Sequence, residues 1–560
     1  MTRHATHLTR SRKLPRFVLP LALVVGLVAA GCGDDGGGTD VGQSTTSVAA
    51  TPATTAPQPK SGGSLTVGTF TETPSLDPAT NVGTGVTGGM ELVALYDTLM
   101  TYDPATGKFE GRTAASLTPN ADLSVWTLKL KPNIKFADGS AYDAAAVVFN
   151  LKRHSAATPG ARSIALVSSI KSYETPDALT VVMTLTAPNS TIPFALSSAP
   201  GAIASPAVIQ AQGANFGINP VNAGAGPFLF SSFKPKEAVI FKKNPTYWNG
   251  TVYLDELKFV NIIGQQANFD ALKNNTLQGT LLRDPAVLAL AKEAGYTGLE
   301  AAQSAGNTMT MNNGVKIACT GGQPASVCAG QADGTLVATK TVTSDKRVRQ
   351  AVAAAINLDT LNTRAYQGKA RLDTALFAKT SRWNSNIAGP KYDLEQAKRL
   401  VTEAKTTGWD GSIRLSCHNG SPDWGIAVKT MLELAGFKVT LDDNKPVADN
   451  TAAVVTKKDF DLACFGVSIL DEEPFSAIAR EYTFTGYTTP DVAAALKAGP
   501  LATSDADKKK ALDTIATAYT ADVPFLSLAP AIQLIAFAKN VRGATQSVNS
   551  IVFFDKAWIS

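Results

Sequence analysis

The 560-residue chain is 44% hydrophobic and only 17% charged, with 23 Phe and 6 Trp. That composition supports two or more domains with buried cores and excludes a globally disordered chain. The formal charge of +5 comes from Arg3, Arg10, Arg12, Lys13 and Arg16; without them 46 basic residues face 46 acidic ones, which leaves no electrostatic footprint for nucleic acid.

Those five cations precede an apolar run, Phe17–Ala30, too short to span a bilayer, which needs about 20 residues. A charged start, a short apolar core and the small residues Ala29-Ala30-Gly31 read as a secretory signal over 1–31. Cys32 follows directly. The arrangement resembles a bacterial lipobox, in which the cysteine is lipidated, although Ala29 stands where an aliphatic residue is usual. Ordinary cleavage leaving a free Cys32 is the other reading. Paired arginines are absent, against a twin-arginine route. Residues 32–60 continue as Gly, Ser, Thr, Ala and Pro with no aromatic, too little apolar surface to fold. As a coil this tether reaches about 30 Å.

Beyond the tether the pattern mixes α and β. Ser64–Phe70 alternates as a strand, Glu91–Leu99 reads as a helix, Trp126–Lys131 as a strand and Asp143–Arg153 as a helix opened by its Asp. Gly83, Gly85 and Gly88 match G-x-G-x-x-G, but the preceding LDPATNV is loop-like. A loop entering a helix suits it better than a dinucleotide site. Cys319, Cys328, Cys417 and Cys464 allow three disulfide connectivities. Cys319 and Cys328 share one Gly-rich loop, CTGGQPASVC, and are the favoured pair, closing a loop worth about 2.5–3 kcal/mol. Cys417 and Cys464 fall on apolar strand faces and are expected as buried free thiols.

Ile413, Leu415 and Cys417 alternate; Ile426, Ala427, Met431 and Leu434 recur at helical spacing up to Gly436; Phe437, Val439 and Leu441 alternate again. This predicts a parallel strand–helix–strand unit whose loop, His418–Trp424, lies at a strand's carboxyl end, where open α/β sheets bind ligands. A further strand, Asp459–Phe465, delivers the acidic loop Gly466–Pro474 to the same edge. Ala511–Tyr519 places Leu512, Ile515, Ala516 and Tyr519 on one helical face. His418 has no clustered partner of the kind metal sites use, so it stands as a polar ligand contact or an ordinary loop residue, and no metal or other cofactor is expected. Trp424 is a packing residue or a cleft wall. No G-x-S-x-G and no Walker motif occurs.

An ordered set of segments carries a family resemblance over residues 61–560. SLDP at Ser75–Pro78, LYDTL at Leu95–Leu99, LKPNIKFADGSAYDAAAVVF at Leu130–Phe149, GAGPF at Gly224–Phe228, NPTYW at Asn244–Trp248, DKRVRQAVAAAIN at Asp345–Asn357 and YDLEQAKRLVTEA at Tyr392–Ala404 resemble the peptide/nickel family of solute-binding proteins that serve ABC importers. Local departures are Ala146 and Gln278, where the family usually has acids. The resemblance implies an α/β, two-lobed periplasmic-binding-protein-like fold. Two crossing strands join its lobes, near Thr308–Asn312 and Ala529–Gln533. One lobe comprises 61–309 with 529–560, the other 310–528.

The resemblance also implies a function. The chain would be a monomeric lipoprotein on the outer face of the cell membrane, capturing a small solute, peptides foremost, for a permease with its ATPase subunits. Nickel chelates, oligosaccharides and small aromatic or amine solutes stay open as ligands, and a secreted hydrolase or chaperone on the same fold is the alternative. In peptide-binding relatives an acid in the second loop pairs with the peptide's amino group. Here Leu470 aligns with that acid and Asp471 follows it. Expected ligand contacts are Glu72, His418, Asn419, Trp424, Asp471 and Glu472, with Asn312 and Trp383 as further candidates.

Overall fold

The computed structural model describes residues 57–81, 83–156, 167–320, 325–418 and 422–560. The expected signal segment 1–31, Cys32, most of the expected tether and Asn419 lie outside the described residues.

Alternation dictates the first strand. In Ser64–Thr69 (β1) Leu65 and Val67 are fully buried. Nine more strands build one sheet with it: Phe228–Lys234 (β2), Ala238–Lys243 (β3), Glu256–Asn261 (β4), Gly279–Leu282 (β5), Thr297–Met311 (β6), Ser412–His418 (β7), Lys438–Lys445 (β8), Leu462–Gly466 (β9) and Phe525–Phe537 (β10). Their order is β8-β7-β9-β6-β10-β5-β1-β4-β3-β2. β1 runs parallel to β4 and β5, and β7 runs parallel to β8 and β9. The central pair, β6 and β10, is antiparallel and long.

These two long strands feed two cores. Leu534 and Ile535 of β10 pack with Leu65, Val67, Phe241, Phe259 and Leu281. Met309 and Met311 of β6, with Leu526 and Leu528 of β10, pack instead with Leu415, Val428, Leu432 and Leu462. The molecule therefore has two lobes, with β6 and β10 crossing between them. Their register breaks between Gln303 and Asn307. Ala305 takes φ +53° there, and a Cβ on Gly306 would fall 2.2 Å from the Ala531 amide nitrogen, so that close backbone approach requires glycine. Pro530, which cannot donate to a ladder, sits opposite the break.

A separate four-stranded antiparallel sheet over residues 114–185 has its own core of Trp126, Leu128, Val147, Leu151 and Met183. Its helix, Ala144–Ser155, is capped by Asp143, whose carboxylate accepts from the Ala146 amide at 2.9 Å.

The predicted strand–helix–strand unit is present as β7, the helix Pro422–Leu434 and β8, with the two strands parallel. Its buried face matches the expected one in part. Ala427, Val428, Met431 and Leu432 are buried, whereas Ile426 and Leu434 are 52% and 63% exposed. The strand expected from Asp459 begins at Leu462, because Asp459 and Asp461 turn to the Arg414 guanidinium at 2.7 and 3.3 Å. Disulfides join Cys319 to Cys328 and Cys417 to Cys464. The second corrects the expectation of free thiols: β7 and β9 are hydrogen-bonded neighbours, which puts the two Cα atoms 4.7 Å apart.

Candidate functional site

The crossing strands are flanked by cavities. One, about 550 Å³, is lined by Phe70, Arg283 and Lys292 from the first lobe, Lys369 and Arg371 from the second, and Ala529–Ile532 of β10. A second, about 410 Å³, lies among Ala365, Tyr366, His418, Trp424, Asn450 and Phe465. Asp284, Pro285 and Asn307 line both. A third, about 400 Å³, shares no residue with them and is bounded by Tyr102, Gln303, Arg382, Asp471, Glu472 and Ser550. All three fall in or near the range of about 300–1,000 Å³ usual for ligand pockets.

β7 ends at His418, and the helix after it opens with Trp424 in its first turn. Both side chains line the second cavity, together with Gly466 at the end of the parallel neighbour β9. His418 is half-buried, and burial lowers its imidazole below the usual value. The Trp424 indole N–H is buried and has no hydrogen-bond partner among the described residues. Tyr366 meets the crossing strand here, accepting from Asn307 Nδ2 at 2.9 Å.

The acidic loop runs from the second cavity into the third. Asp471 accepts from the Ser381 hydroxyl at 2.5 Å and from the Arg382 amide at 3.0 Å, and burial raises its carboxyl. Trp383 is buried, and its indole N–H donates to the Asp471 carbonyl at 2.7 Å. Asp471 thus holds the 381–383 loop to its own. Glu472 reaches the first lobe, accepting from the Asn549 amide at 2.6 Å, and burial pushes its carboxyl up to about 7. Asn549 in turn accepts from the Gly85 amide at 2.9 Å, while Gly88, at φ +70°, caps the helix Gly89–Tyr96. The Gly83–Gly88 loop is therefore packed against the C-terminal segment.

Two further expected contacts sit apart. Glu72 is exposed and lines none of these cavities. Asn312 is buried beyond the register break; its Oδ1 accepts from Gly314, Val315 and Thr339 and its Nδ2 donates to the Lys458 carbonyl. Sequence reasoning passed over Arg283, Phe70 and Asn307. The sequence LLRDPAV signals only a capped helix start, and nothing in it shows whether the arginine finds a counterion. Among the described residues no cluster of three His, Cys, Asp or Glu side chains could hold a metal ion.

Residues 108–488 match the bacterial extracellular solute-binding proteins, family 5 middle region. The glutathione-binding protein GsiB of Pectobacterium atrosepticum is 25% identical over 460 residues, 79% of this chain and 84% of that protein. Among solved structures, NikA from Brucella suis in complex with Fe(III)-EDTA matches with a TM-score of 0.72 at 18% identity, over 89% of this chain and 100% of its own. The oligopeptide-binding protein AppA from Bacillus subtilis, in complex with a nonapeptide, matches with a TM-score of 0.68 at 18% identity, over 90% and 100%. These two structures share the two-lobed architecture.

Proposed function

This chain belongs to the bacterial extracellular solute-binding proteins of family 5 and is the exported, non-enzymatic binding component of an ABC importer, and we propose that it captures a peptide-sized solute between its lobes and presents it to the permease. One observation carries the reading. The two cavities joined through Asp284, Pro285 and Asn307 draw their walls from both lobes and the strands between them. Such a site is complete only when the lobes are together, which couples capture to closure. The names of GsiB and AppA support a peptide or peptide-like ligand. The hydrolase and chaperone alternative finds no support among these relatives.

In this reading His418 and Trp424 contact the solute, with Asn419 beside them. Asp471, Glu472 and Trp383 shape the loop that meets the first lobe, and Glu72 and Asn312 are the outlying members of the set. One lobe is 61–309 with 529–560, the other 310–528. The protein acts as a monomer, tethered to the outer face of the membrane through lipidated Cys32.

A thermal-shift panel of dipeptides to nonapeptides, reduced glutathione and nickel chelates tests the ligand class. A peptide at 100 times its Kd should add about 2.7 kcal/mol and be recovered chemically unchanged. A shift produced only by non-peptide solutes would move the ligand class elsewhere. For the anchor, Cys32→Ser should carry the protein from the membrane to the soluble fraction, and an unchanged fractionation would refute lipidation.

A further inference from the structure

The 550 Å³ cavity holds a charge imbalance with a specific centre. Arg283, Lys292, Lys369 and Arg371 line it, against Asp284 and Glu293. Three of those cations are already matched. Lys292 bonds Glu300, Lys369 lies 3.2 Å from Glu293, and Arg371 lies 4.0 Å from Glu300. Asp284 is also committed, since its carboxylate caps the helix Pro285–Glu293 by accepting from the amides of Ala286 and Val287 at 2.9 and 3.0 Å.

Arg283 is the exception. Among the described residues its guanidinium has neither an ion pair nor a side-chain hydrogen bond, although it is half-buried. Its backbone amide is fixed by Gln265 Oε1 at 2.7 Å, and its guanidinium carbon lies 5.1 Å from the centre of the Phe70 ring. An aromatic neighbour of this kind attracts the cation yet takes up none of its in-plane N–H groups. Burial pulls the guanidinium below its ordinary value, the cost of a charge without a counterion. A planar oxyanion answers that cost with two parallel N–H···O bonds.

We propose that Arg283, backed by Phe70, is a carboxylate-recognition group in the larger interlobe cavity and makes the protein selective for solutes that present a free carboxylate there. The proposal deepens the peptide reading and rests on it for the identity of the ligand. The carboxylate can come from a peptide C-terminus or from an acidic side chain.

Calorimetric titration of the full exported chain with reduced glutathione, trialanine and trialanine amide separates the cases. A C-terminal carboxylate at Arg283 predicts that trialanine binds at least about tenfold tighter than its amide, since a charged bidentate contact is lost. That gap should close in Arg283→Gln and narrow in Arg283→Lys, with unliganded melting no lower than wild type. If glutathione binds and both trialanines do not, glutathione bearing its two carboxylates singly esterified identifies which one Arg283 reads. Equal affinity of acid and amide or ester forms in the wild type would overturn the proposal and leave the peptide reading standing. Failure of every peptide would sink the peptide reading, and the arginine is then tested alone. Succinate or citrate should slow phenylglyoxal modification of Arg283, followed by peptide mass mapping, at least several-fold. No protection would overturn the proposal.

Discussion

Glu481 is fully buried, with one carboxylate oxygen accepting from the Thr310 hydroxyl at 2.8 Å and the other without a partner among the described residues. Burial pushes its carboxyl up to about 7. The folded protein therefore holds this proton where the unfolded chain has released it, so stability falls as pH rises from about 4.5 towards 7. Glu481→Gln keeps an acceptor for Thr310 and removes the titration. Melting of the variant should match wild type at pH 5 and exceed it at pH 8; a variant less stable at pH 8 would contradict the account. Arg112 shows a charge that is answered. It bonds Asp97, lies 3.2 Å from Asp555, donates to the Tyr247 hydroxyl at 3.1 Å and sits 3.8 Å from the Phe553 ring centre. Removing one member strands the others. Arg112→Met should cost about 3–5 kcal/mol in urea unfolding.

At the scale of elements, β7, its helix and β8 were legible because strand and helix periods differ and Gly436 punctuates them. The helix face was legible only in part: Ala427 and Met431 are buried as expected. Ile426 and Leu434 keep the apolar spacing but lie on the side turned from the sheet, while Val428 and Leu432 fill the core. Choosing between two apolar stripes needs the packing partner, and that belongs to the tertiary structure. The same limit hid the link between Cys417 and Cys464, 47 residues apart, since only the adjacency of β7 and β9 brings them together. His418 and Trp424 were legible as members of a loop at a sheet edge. Arg283 was not, because whether a cation is paired depends on every neighbour it meets. The disulfide carries its own test. In the chain-entropy model a loop of this length is worth about 4 kcal/mol. Reductant opens both disulfides of the wild type but only Cys319–Cys328 in Cys417→Ser/Cys464→Ser, so it should lower the unfolding free energy by about 4 kcal/mol more in wild type than in the variant; free thiols at both positions in oxidised protein would refute the bond.

Across the whole molecule the lobes also meet through the acidic loop beside β6, where the Ser304 amide donates to the Ile469 carbonyl at 3.0 Å. Leu470 packs among Val93, Tyr102, Phe194, Ile551 and Phe553 of the first lobe. The Arg382 guanidinium donates to the Gly107 carbonyl at 2.9 Å, and Glu472 accepts from Asn549. The apolar contact does not respond to acid, but Glu472 does. With the lobes together its carboxyl is raised to about 7, mainly by burial; with the lobes apart water returns it to the ordinary value near 4.5. Closing therefore takes up a proton between those values, and the closed form is favoured at low pH and loses that advantage as pH rises through 7. Asp471 is raised in the same sense but is bound to Ser381 and Arg382 of its own lobe, so opening leaves its surroundings largely intact. Small-angle scattering of unliganded protein should show a larger radius of gyration at pH 8 than at pH 5. Glu472→Gln retains an acceptor for the Asn549 amide and cannot titrate, so its radius should be the same at both. An undiminished pH response in that variant would assign the sensitivity to another group.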